Sequence, residues 1–221
     1  MRFVQRASNI VSCYFDLKTF RPISSDGMVD FCFTQAIKPL QVPEELRTLA
    51  SMVARLRPSS VVEIGTCGGG TLWLWCQLAT ADATLVSIDL PYGQFGGGYH
   101  WIRGALYRSF PQHRQSLHLL RRSSHDDATR VMVERQLPGK RAQFLFIDGD
   151  HSYDGVKQDF EMYRTLVEPG GLIAFHDILS HVGYDDCDVA RFWREIKDSY
   201  HHTEIVADPA QGWAGIGVLH L

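Results

Sequence analysis

The fold is decided by residues 61–71, which read VVEIGTCGGGT. The apolar run 61–64 predicts a buried strand, and the glycine-rich turn after it leads into a predicted helix over 71–78. Glycines let a backbone approach a ligand closely and expose N–H groups at a helix N-terminus. This arrangement suits a nucleoside-bearing cofactor, although similar turns also bind dinucleotides or phosphates, or serve as plain structural turns.

Length and composition bound the remaining possibilities. The 221 residues suit one domain with a good-sized core, and 45% hydrophobic and 21% charged residues are ordinary for a globular enzyme. A formal charge of −3 gives no electrostatic footprint for nucleic acid. The five cysteines are scattered without C-x-x-C spacing, and the first residues lack the apolar run of a signal peptide. We therefore expect a cytoplasmic protein with reduced thiols and no contact with nucleic acid or membrane.

The rest of the chain alternates between strand and helix patterns. Strands are predicted over 61–64, 84–89, 117–120, 143–148, 172–175, 204–207 and 215–219, and helices over 43–56, 71–78, 126–136, 153–167 and 189–197. Continuous apolar strands separated by helices indicate a parallel sheet that is covered on both faces. The prediction is an α/β fold with a doubly wound, mostly parallel, seven-stranded sheet. Residues 1–40 are expected to be irregular and to cap the site or contact another subunit, with the main domain over 41–221.

Four predicted strands end in acidic residues, namely Glu63, Asp89, Asp148 and Asp177. In doubly wound sheets, ligands bind beyond the carboxyl ends of the strands. We therefore expect these carboxylates to converge on one rim. Asp89 could accept hydrogen bonds from ribose hydroxyls or could simply cap the next turn. A nicotinamide enzyme would favour G-x-G-x-x-G, which the turn GTCGGG does not match.

Five segments together resemble a known family. They are EIGTCGGGT (63–71), SID (87–89), SSHD (123–126), FIDGDHSY (146–153) and PGGLIAFHD (169–177). They are similar to class I S-adenosylmethionine-dependent methyltransferases, and most of all to the branch with cephalosporin-hydroxylase-like proteins and macrolide sugar O-methyltransferases. The resemblance covers about residues 41–219 and implies the Rossmann-like methyltransferase fold.

The resemblance also implies roles for residues at the glycine-rich turn. Glu63, Gly65 and Thr66 would border the methionine moiety of S-adenosylmethionine. Cys67 departs from the family pattern, because it stands where the middle glycine of E-x-G-x-G-x-G is common. The contacts of Cys67 are therefore left open.

Further cofactor contacts are implied along the other strand ends. Asp89 would hold the ribose, Ser124 and His125 would lie beside the adenine, and Asp148 would sit between cofactor and substrate. Gln41 is a further candidate for approaching the cofactor.

Asp148 and Asp177 follow strands that should be adjacent, so their oxygens could hold a divalent cation such as Mg²⁺ or Mn²⁺. His176 precedes Asp177 and completes the candidate metal set. Imidazole is a weak ligand for magnesium and a better one for manganese, iron or zinc. The sequence leaves open whether His176 binds the metal directly, supports the metal ligands without contacting the metal, or belongs to a protein that binds no metal.

A base is needed because a hydroxyl is a poor nucleophile until it is deprotonated. Asp150 and His151 follow the Asp148 strand end, and the ordinary pKa of histidine suits proton transfer near neutrality. The same residues, with Ser152, could instead cap the following helix.

The acceptor side is read least clearly. The aromatic, glycine-rich loop 91–100 could be a lid or a surface connection. Four residues on the next predicted helix could contact an anionic or glycosylated acceptor or face solvent, namely Trp101, Arg103, Tyr107 and Arg108. Trp213 is expected in the core. The leading function is O-methylation of a small metabolite or sugar by a homo-oligomer, in natural product biosynthesis. The alternatives are metal-free N-methylation or a non-catalytic cofactor-binding partner protein.

Overall fold

The structure is a computed structural model that describes residues 2–21, 24–92, 99, 101–183 and 186–221, with side chains described from residue 9 onward. Within these ranges the seven strands are β1 (Ser60–Ile64), β2 (Thr84–Ile88), β3 (Ser116–Leu120), β4 (Ala142–Ile147), β5 (Val167–His176), β6 (His201–Ile205) and β7 (Ile216–His220). The helices of the same ranges are α1 (Arg2–Thr19), α2 (Ser25–Thr34), α3 (Pro43–Leu56), α4 (Gly70–Leu78), α5 (Trp101–Tyr107), α6 (Asp127–Gln136), α7 (Tyr153–Tyr163) and α8 (Val189–Ile196).

The strands form one sheet in the order β3-β2-β1-β4-β5-β7-β6. Strands β1 to β5 pair in parallel, and β7 runs antiparallel between β5 and β6. The order reverses between β1 and β4, which is where ligands bind in doubly wound sheets. The predicted mostly parallel seven-stranded sheet is confirmed.

Successive side chains along each strand point to opposite faces of the sheet, and helices cover both faces. On one face Val61, Leu85 and Phe144 pack with residues of α1 to α5. On the other face Val62 and Leu145 pack with residues of α6, α7 and α8. The prediction of helices on both faces is therefore confirmed.

The prediction that residues 1–40 are irregular is wrong. The described part of this segment forms α1 and α2, and Ser24 caps α2 by accepting a hydrogen bond from the Gly27 N–H at 3.1 Å. Val29 and Ile37 are fully buried in the same core cluster as α3 and α4. The mixed polar and aromatic composition of the segment concealed this amphipathic packing.

Two further details differ from expectation. Strand β6 begins at His201 rather than at residue 204, because its polar residues pair with β7 at the edge of the sheet. Trp213 is not in the core: it precedes β7 in a turn, and 42% of its surface is exposed. No described helix is both long enough and apolar enough to cross a bilayer.

Candidate active site

A cavity of about 510 Å³ opens at the carboxyl ends of the parallel strands. Its wall includes Asp89 after β2, Asp148 after β4 and Asp177 after β5. Glu63, near the end of β1, is fully buried and does not line the wall. The topology thus brings three of the four strand-end carboxylates onto one rim, with the fourth beneath it.

The glycine-rich turn after β1 passes very close to the backbone at the end of β4. Gly65 has φ of +90°, and a Cβ at this position would lie 1.8 Å from the carbonyl oxygen of Asp148. Its N–H donates to the Ile88 carbonyl at 2.9 Å, which ties the turn to β2. Gly65 is therefore required by the close approach of the protein's own backbone, in addition to any ligand.

The Asp89 carboxylate supports the same turn. Its Oδ2 accepts a hydrogen bond from the Cys67 N–H at 3.0 Å, and Cys67 adopts a positive φ of 43°. The Thr66 hydroxyl, which lies on the cavity wall, is hydrogen-bonded to the Ser87 hydroxyl of β2. Asp89 consequently combines the two readings of the sequence, because it stabilises a turn and also lines the cavity.

Helix α5 holds the turn from the other side. The Tyr107 hydroxyl donates to the Cys67 carbonyl at 2.8 Å, and Arg103 donates to the carbonyls of Ala36 and Gly68 at 3.2 and 3.1 Å. The solvent-facing alternative is therefore wrong for Arg103 and Tyr107, whereas Trp101 and Arg108 of the same segment are exposed. The loop prediction for 91–100 falls largely on residues 93–98 and 100, which lie outside the described residues.

Glu63 lies fully buried under the turn. Its Oε1 accepts a hydrogen bond from the Trp75 Nε1–H at 2.9 Å, and the Thr71 side chain also interacts with the carboxyl group. Burial raises the pKa of Glu63 to about 8. Its implied position beside a methionine moiety stays a prediction.

The far end of the cavity is lined by Ser124 and His125, which a buried carboxylate supports. His125 Nε2 lies 3.3 Å from Oδ1 of Asp159, a fully buried residue of α7, and this contact raises the pKa of His125. The Tyr163 hydroxyl donates to the Ser124 carbonyl at 2.8 Å. The sequence analysis missed Asp159, although an aspartate between Val156 and Phe160 on an otherwise apolar helix face was a visible signal.

Gln41 also reaches the site, as its Nε2 donates to Asp148 Oδ2 at 2.9 Å. The residue is buried and lines the cavity together with the neighbouring Leu40. Trp213 lies on the same wall. An amide, an exposed leucine and an exposed indole thus line the same cavity as Asp148.

The acidic centre joins the ends of β4 and β5. His176 Nδ1 lies 3.2 Å from Asp148 Oδ1 and 3.1 Å from Asp177 Oδ1. An octahedral cation with bonds of about 2.1 Å has ligand-to-ligand edges of about 3.0 Å, close to these spacings. The donor set of two carboxylates and one imidazole therefore fits a divalent cation.

Asp177 is held tightly in this centre. It has a φ of +64°, a backbone conformation that residues other than glycine rarely adopt. Such conformations are found more often at functional sites. Its Oδ1 is 2.9 Å from Nε2 of His181, which the sequence analysis missed because His181 lies in the loop after β5.

His176 and Asp177 favour each other's charged forms because their charges are opposite and close together. Burial alone would lower the pKa of His176, but Asp148 and Asp177 outweigh it and raise this pKa to about 10. A cation bound here would therefore have to displace the ring proton of His176. Burial likewise opposes ionisation of Asp177, yet the facing histidines hold its pKa below the usual range.

The two candidate bases differ in their surroundings. Asp150 Oδ1 accepts a hydrogen bond from the Ser152 N–H at 2.9 Å, and Ser152 Oγ accepts from the Gly155 N–H at 3.1 Å at the start of α7. The helix-cap reading therefore holds for Asp150 and Ser152, although Asp150 also lines the cavity. His151 instead faces the acidic centre, with Nδ1 3.5 Å from Asp177 Oδ2 and Nε2 3.7 Å from Asp148 Oδ1.

Two curated proteins are similar to part of this chain. An uncharacterised protein of Acanthamoeba polyphaga mimivirus is 34% identical over 116 residues, which cover 52% of this chain and 50% of the viral protein. An uncharacterised protein of Sinorhizobium fredii (strain NBRC 101917 / NGR234) is 26% identical over 148 residues, which cover 66% of this chain and 16% of the relative. The chain thus spans half or less of the length of these curated relatives.

Solved structures share the fold over nearly the whole chain. An O-methyltransferase of Streptomyces achromogenes involved in tomaymycin synthesis, in complex with SAM, superposes with a TM-score of 0.58 at 17% identity, covering 96% of this chain and 97% of that one. An O-methyltransferase of Bacillus cereus in complex with SAH gives 0.59 at 15% identity, covering 98% and 100%. Both carry the fold that the sequence motifs predicted.

The family itself is established by a direct match. The family model described as "Methyltransferase domain" matches residues 62–178, which is more than half of the chain. The matched span begins in β1 and includes the glycine-rich turn, Asp89, Asp148 and Asp177. The chain belongs to this methyltransferase domain family.

Proposed function

We propose that this protein is an S-adenosylmethionine-dependent O-methyltransferase that acts on a hydroxyl of a small molecule or sugar. The observation that carries the proposal is that the glycine-rich turn and Asp89 share one cavity with Asp148 and Asp177. A nucleoside site and a polar acceptor site would thus adjoin. The S. achromogenes and B. cereus neighbours, O-methyltransferases solved with SAM and SAH, support the choice of cofactor and of oxygen as acceptor, and tomaymycin synthesis supports a role in natural product biosynthesis.

The proposed cofactor contacts follow the cavity wall. The Asp89 carboxylate, already oriented by the Cys67 N–H, would accept hydrogen bonds from the ribose hydroxyls. Ser124 and His125 would lie beside the adenine, with Asp159 orienting the imidazole. Gly65 and Thr66 would border the methionine moiety, with Glu63 supporting the turn from below.

The chemistry needs alignment and removal of one proton. The sulfonium of the cofactor supplies an electrophilic methyl group for in-line displacement. His151 would accept the proton of the acceptor hydroxyl, because its imidazole lies beside both Asp148 and Asp177. Asp150 is the second candidate base, although its Oδ1 already serves the α7 cap.

We further propose that Asp148, His176 and Asp177 hold a divalent cation, Mg²⁺ or Mn²⁺. Such an ion would favour the ionised form of a bound hydroxyl. The spacing of the three donors and the burial of His176 and Asp177 support this assignment. Gln41 would hold Asp148 in place through its amide.

The outer parts of the chain also have proposed roles. Residues 1–40 would cap the site and contact a second copy, since Pro39 and Leu40 line the cavity while Val11 and Phe15 of α1 are exposed. The assignment of 41–221 as the cofactor-binding domain rests on the same division. All five cysteines are free thiols, which supports a reducing, cytoplasmic location.

Calorimetric titration with S-adenosylhomocysteine tests the proposed function. Wild type should bind, and Asp89→Asn should weaken binding by about 10–100-fold, the equivalent of about 1.5–3 kcal/mol for lost charge-assisted hydrogen bonds. Asp82→Asn changes an exposed aspartate just before β2 and should bind like wild type. Absence of binding to wild type, or equal binding by the Asp89 variant, would contradict the proposal.

A further inference from the structure

A second set of possible metal ligands lies beside the acidic centre. His151, Asp177 and Cys187 each offer one ligand atom, and these atoms all lie within 4.8 Å of one another. This set shares Asp177 with the proposed magnesium or manganese site but replaces Asp148 and His176 with an imidazole and a thiol. Nitrogen and sulfur donors are preferred by zinc-class ions, whereas magnesium prefers oxygen donors.

We propose that His151, Asp177 and Cys187 form a binding site for a nitrogen- and sulfur-preferring divalent ion of the zinc class, distinct from a magnesium site. The contact between His151 Nδ1 and Asp177 Oδ2, at 3.5 Å, carries the geometry. A tetrahedral zinc centre with bonds of about 2.0–2.3 Å has edges of about 3.3–3.7 Å, so these two donors already stand at ligand spacing.

Two neighbouring side chains, Asp148 and His181, lie beside these ligands. Metal-binding histidines usually direct their other ring nitrogen at a carboxylate, which fixes the orientation of the ring. The other ring nitrogen of His151, Nε2, lies 3.7 Å from Asp148 Oδ1. The ligand Asp177 is itself approached by His181 Nε2 at 2.9 Å from Oδ1, which leaves Oδ2 directed at His151.

The backbone also holds the ligands together. The Asp188 N–H donates to the His151 carbonyl at 2.8 Å, which fixes Cys187 beside His151. His151 lies just before α7 and Cys187 just before α8, and these helices pack through Phe160 and Phe192, whose ring centroids are 5.6 Å apart. The loop residues that supply the nitrogen and sulfur donors are therefore anchored by two helices that pack against each other.

Occupancy of this site has a consequence for the reaction. The proposal rests on the proposed function in one respect only: His151 is there the acceptor of the substrate proton. An imidazole nitrogen that binds a metal cannot take up that proton, so an ion of the zinc class should inhibit methyl transfer. Magnesium or manganese should instead assist the reaction, and the two kinds of ion should compete because both sites use Asp177.

Cobalt(II) added to the metal-free full-length protein tests the ligand set without any acceptor. A thiolate ligand gives a sulfur-to-cobalt charge-transfer absorption that oxygen and nitrogen ligands do not give. Wild type and Cys67→Ser should both show this band, because Cys67 is not one of the three clustered donors, and Cys187→Ser should lose it. Zinc should bind wild type more tightly than magnesium does, and Cys187→Ser should weaken zinc binding more than about tenfold.

A second variant keeps the test decisive if Cys187→Ser does not fold. His151→Gln should retain the charge-transfer band at saturating cobalt while weakening cobalt binding more than about tenfold. Absence of the band in wild type, its persistence in Cys187→Ser, or unchanged zinc affinity in both variants would overturn the proposal. S-adenosylhomocysteine titration of the same samples separates the two hypotheses, because failed nucleoside binding with an intact cobalt band overturns the proposed function alone.

Discussion

Asp89 illustrates how one side chain can serve both the fold and the proposed reaction. Its carboxylate is fixed by the N–H of Cys67, in a turn where Cys67 has positive φ. A polar group that its neighbours orient in advance loses less freedom when a ligand binds. The same holds for Asp148, which Gln41 holds through Oδ2, and for Asp177, which His181 approaches.

Glu63 should make stability depend on pH. Its folded pKa of about 8 lies above the reference value of 4.5, so the native state retains a proton that the unfolded chain has released. The free energy of unfolding should therefore fall as pH rises from about 4.5 to about 8, and Glu63→Gln should flatten this part of the profile. Urea denaturation across this pH window provides the measurement.

Glu161→Gln is the matched control, because Glu161 is exposed on α7. This variant should keep the wild-type dependence on pH. Identical pH profiles for wild type and Glu63→Gln would show that the buried carboxyl does not control this dependence.

Single residues also mark where sequence reasoning succeeds and where it stops. Asp89, Asp148 and Asp177 could be placed on one rim because each follows a parallel strand, and the topology then fixes their position. Asp159 and His181 could not be placed, since their contacts depend on how α7 and the loop after β5 pack against the sheet. Trp213 was misplaced because an aromatic residue near a strand is usually buried.

At the scale of elements, the strand-to-helix turn is the most constrained part of the site. The Gly65 position combines positive φ with the carbonyl of Asp148 at 1.8 Å from where a Cβ would lie. Gly170 in β5 has a similar φ of +86° but no atom within 4 Å of its Cβ position. A side chain at position 170 would therefore meet backbone strain alone, whereas one at position 65 would meet both strain and a steric clash.

Gly170→Ala should cost about 1–2 kcal/mol, the penalty of the left-handed region alone. Gly65→Ala should cost at least about 3 kcal/mol more, because the β1 turn must move away from β4. Chemical denaturation measures both values. Equal destabilisation by the two substitutions would contradict the close approach described here.

Elements differed in how readily the sequence revealed them. The buried strands β1, β2 and β4 were predicted within a residue or two, because continuous apolar runs bounded by turns are unambiguous in this pattern. Edge strand β6 was displaced, since its His201, His202 and Thr203 carry little apolar signal. Helices α1 and α2 were missed for a similar reason: among the residues whose side chains are described, few are fully buried and they are widely spaced.

At the scale of the whole molecule, the N-terminal helices belong to the core of one sheet face. Ile37 is fully buried in the cluster that includes α3 and α4, and the carbonyl of Ala36 accepts a hydrogen bond from Arg103. The segment therefore links α5, the glycine-rich turn and the cavity wall at Leu40. We expect residues 1–40 and the sheet to unfold together.

Ile37→Ala should lower the free energy of unfolding by about 2–5 kcal/mol while preserving a single cooperative transition. Val11→Ala removes an exposed side chain of α1 and should change it by less than about 0.5 kcal/mol. Denaturation followed by tryptophan fluorescence and circular dichroism compares them. Two separated transitions, or equal effects of both substitutions, would contradict the shared core.

A crystal structure of the protein with S-adenosylhomocysteine would show directly where the nucleoside binds. We expect it in the cavity at the carboxyl ends of the strands, with the ribose hydroxyls on Asp89, the adenine beside Ser124 and His125, and the sulfur directed towards Asp148. A nucleoside bound elsewhere on the molecule, or in this cavity without contact to Asp89, would contradict it.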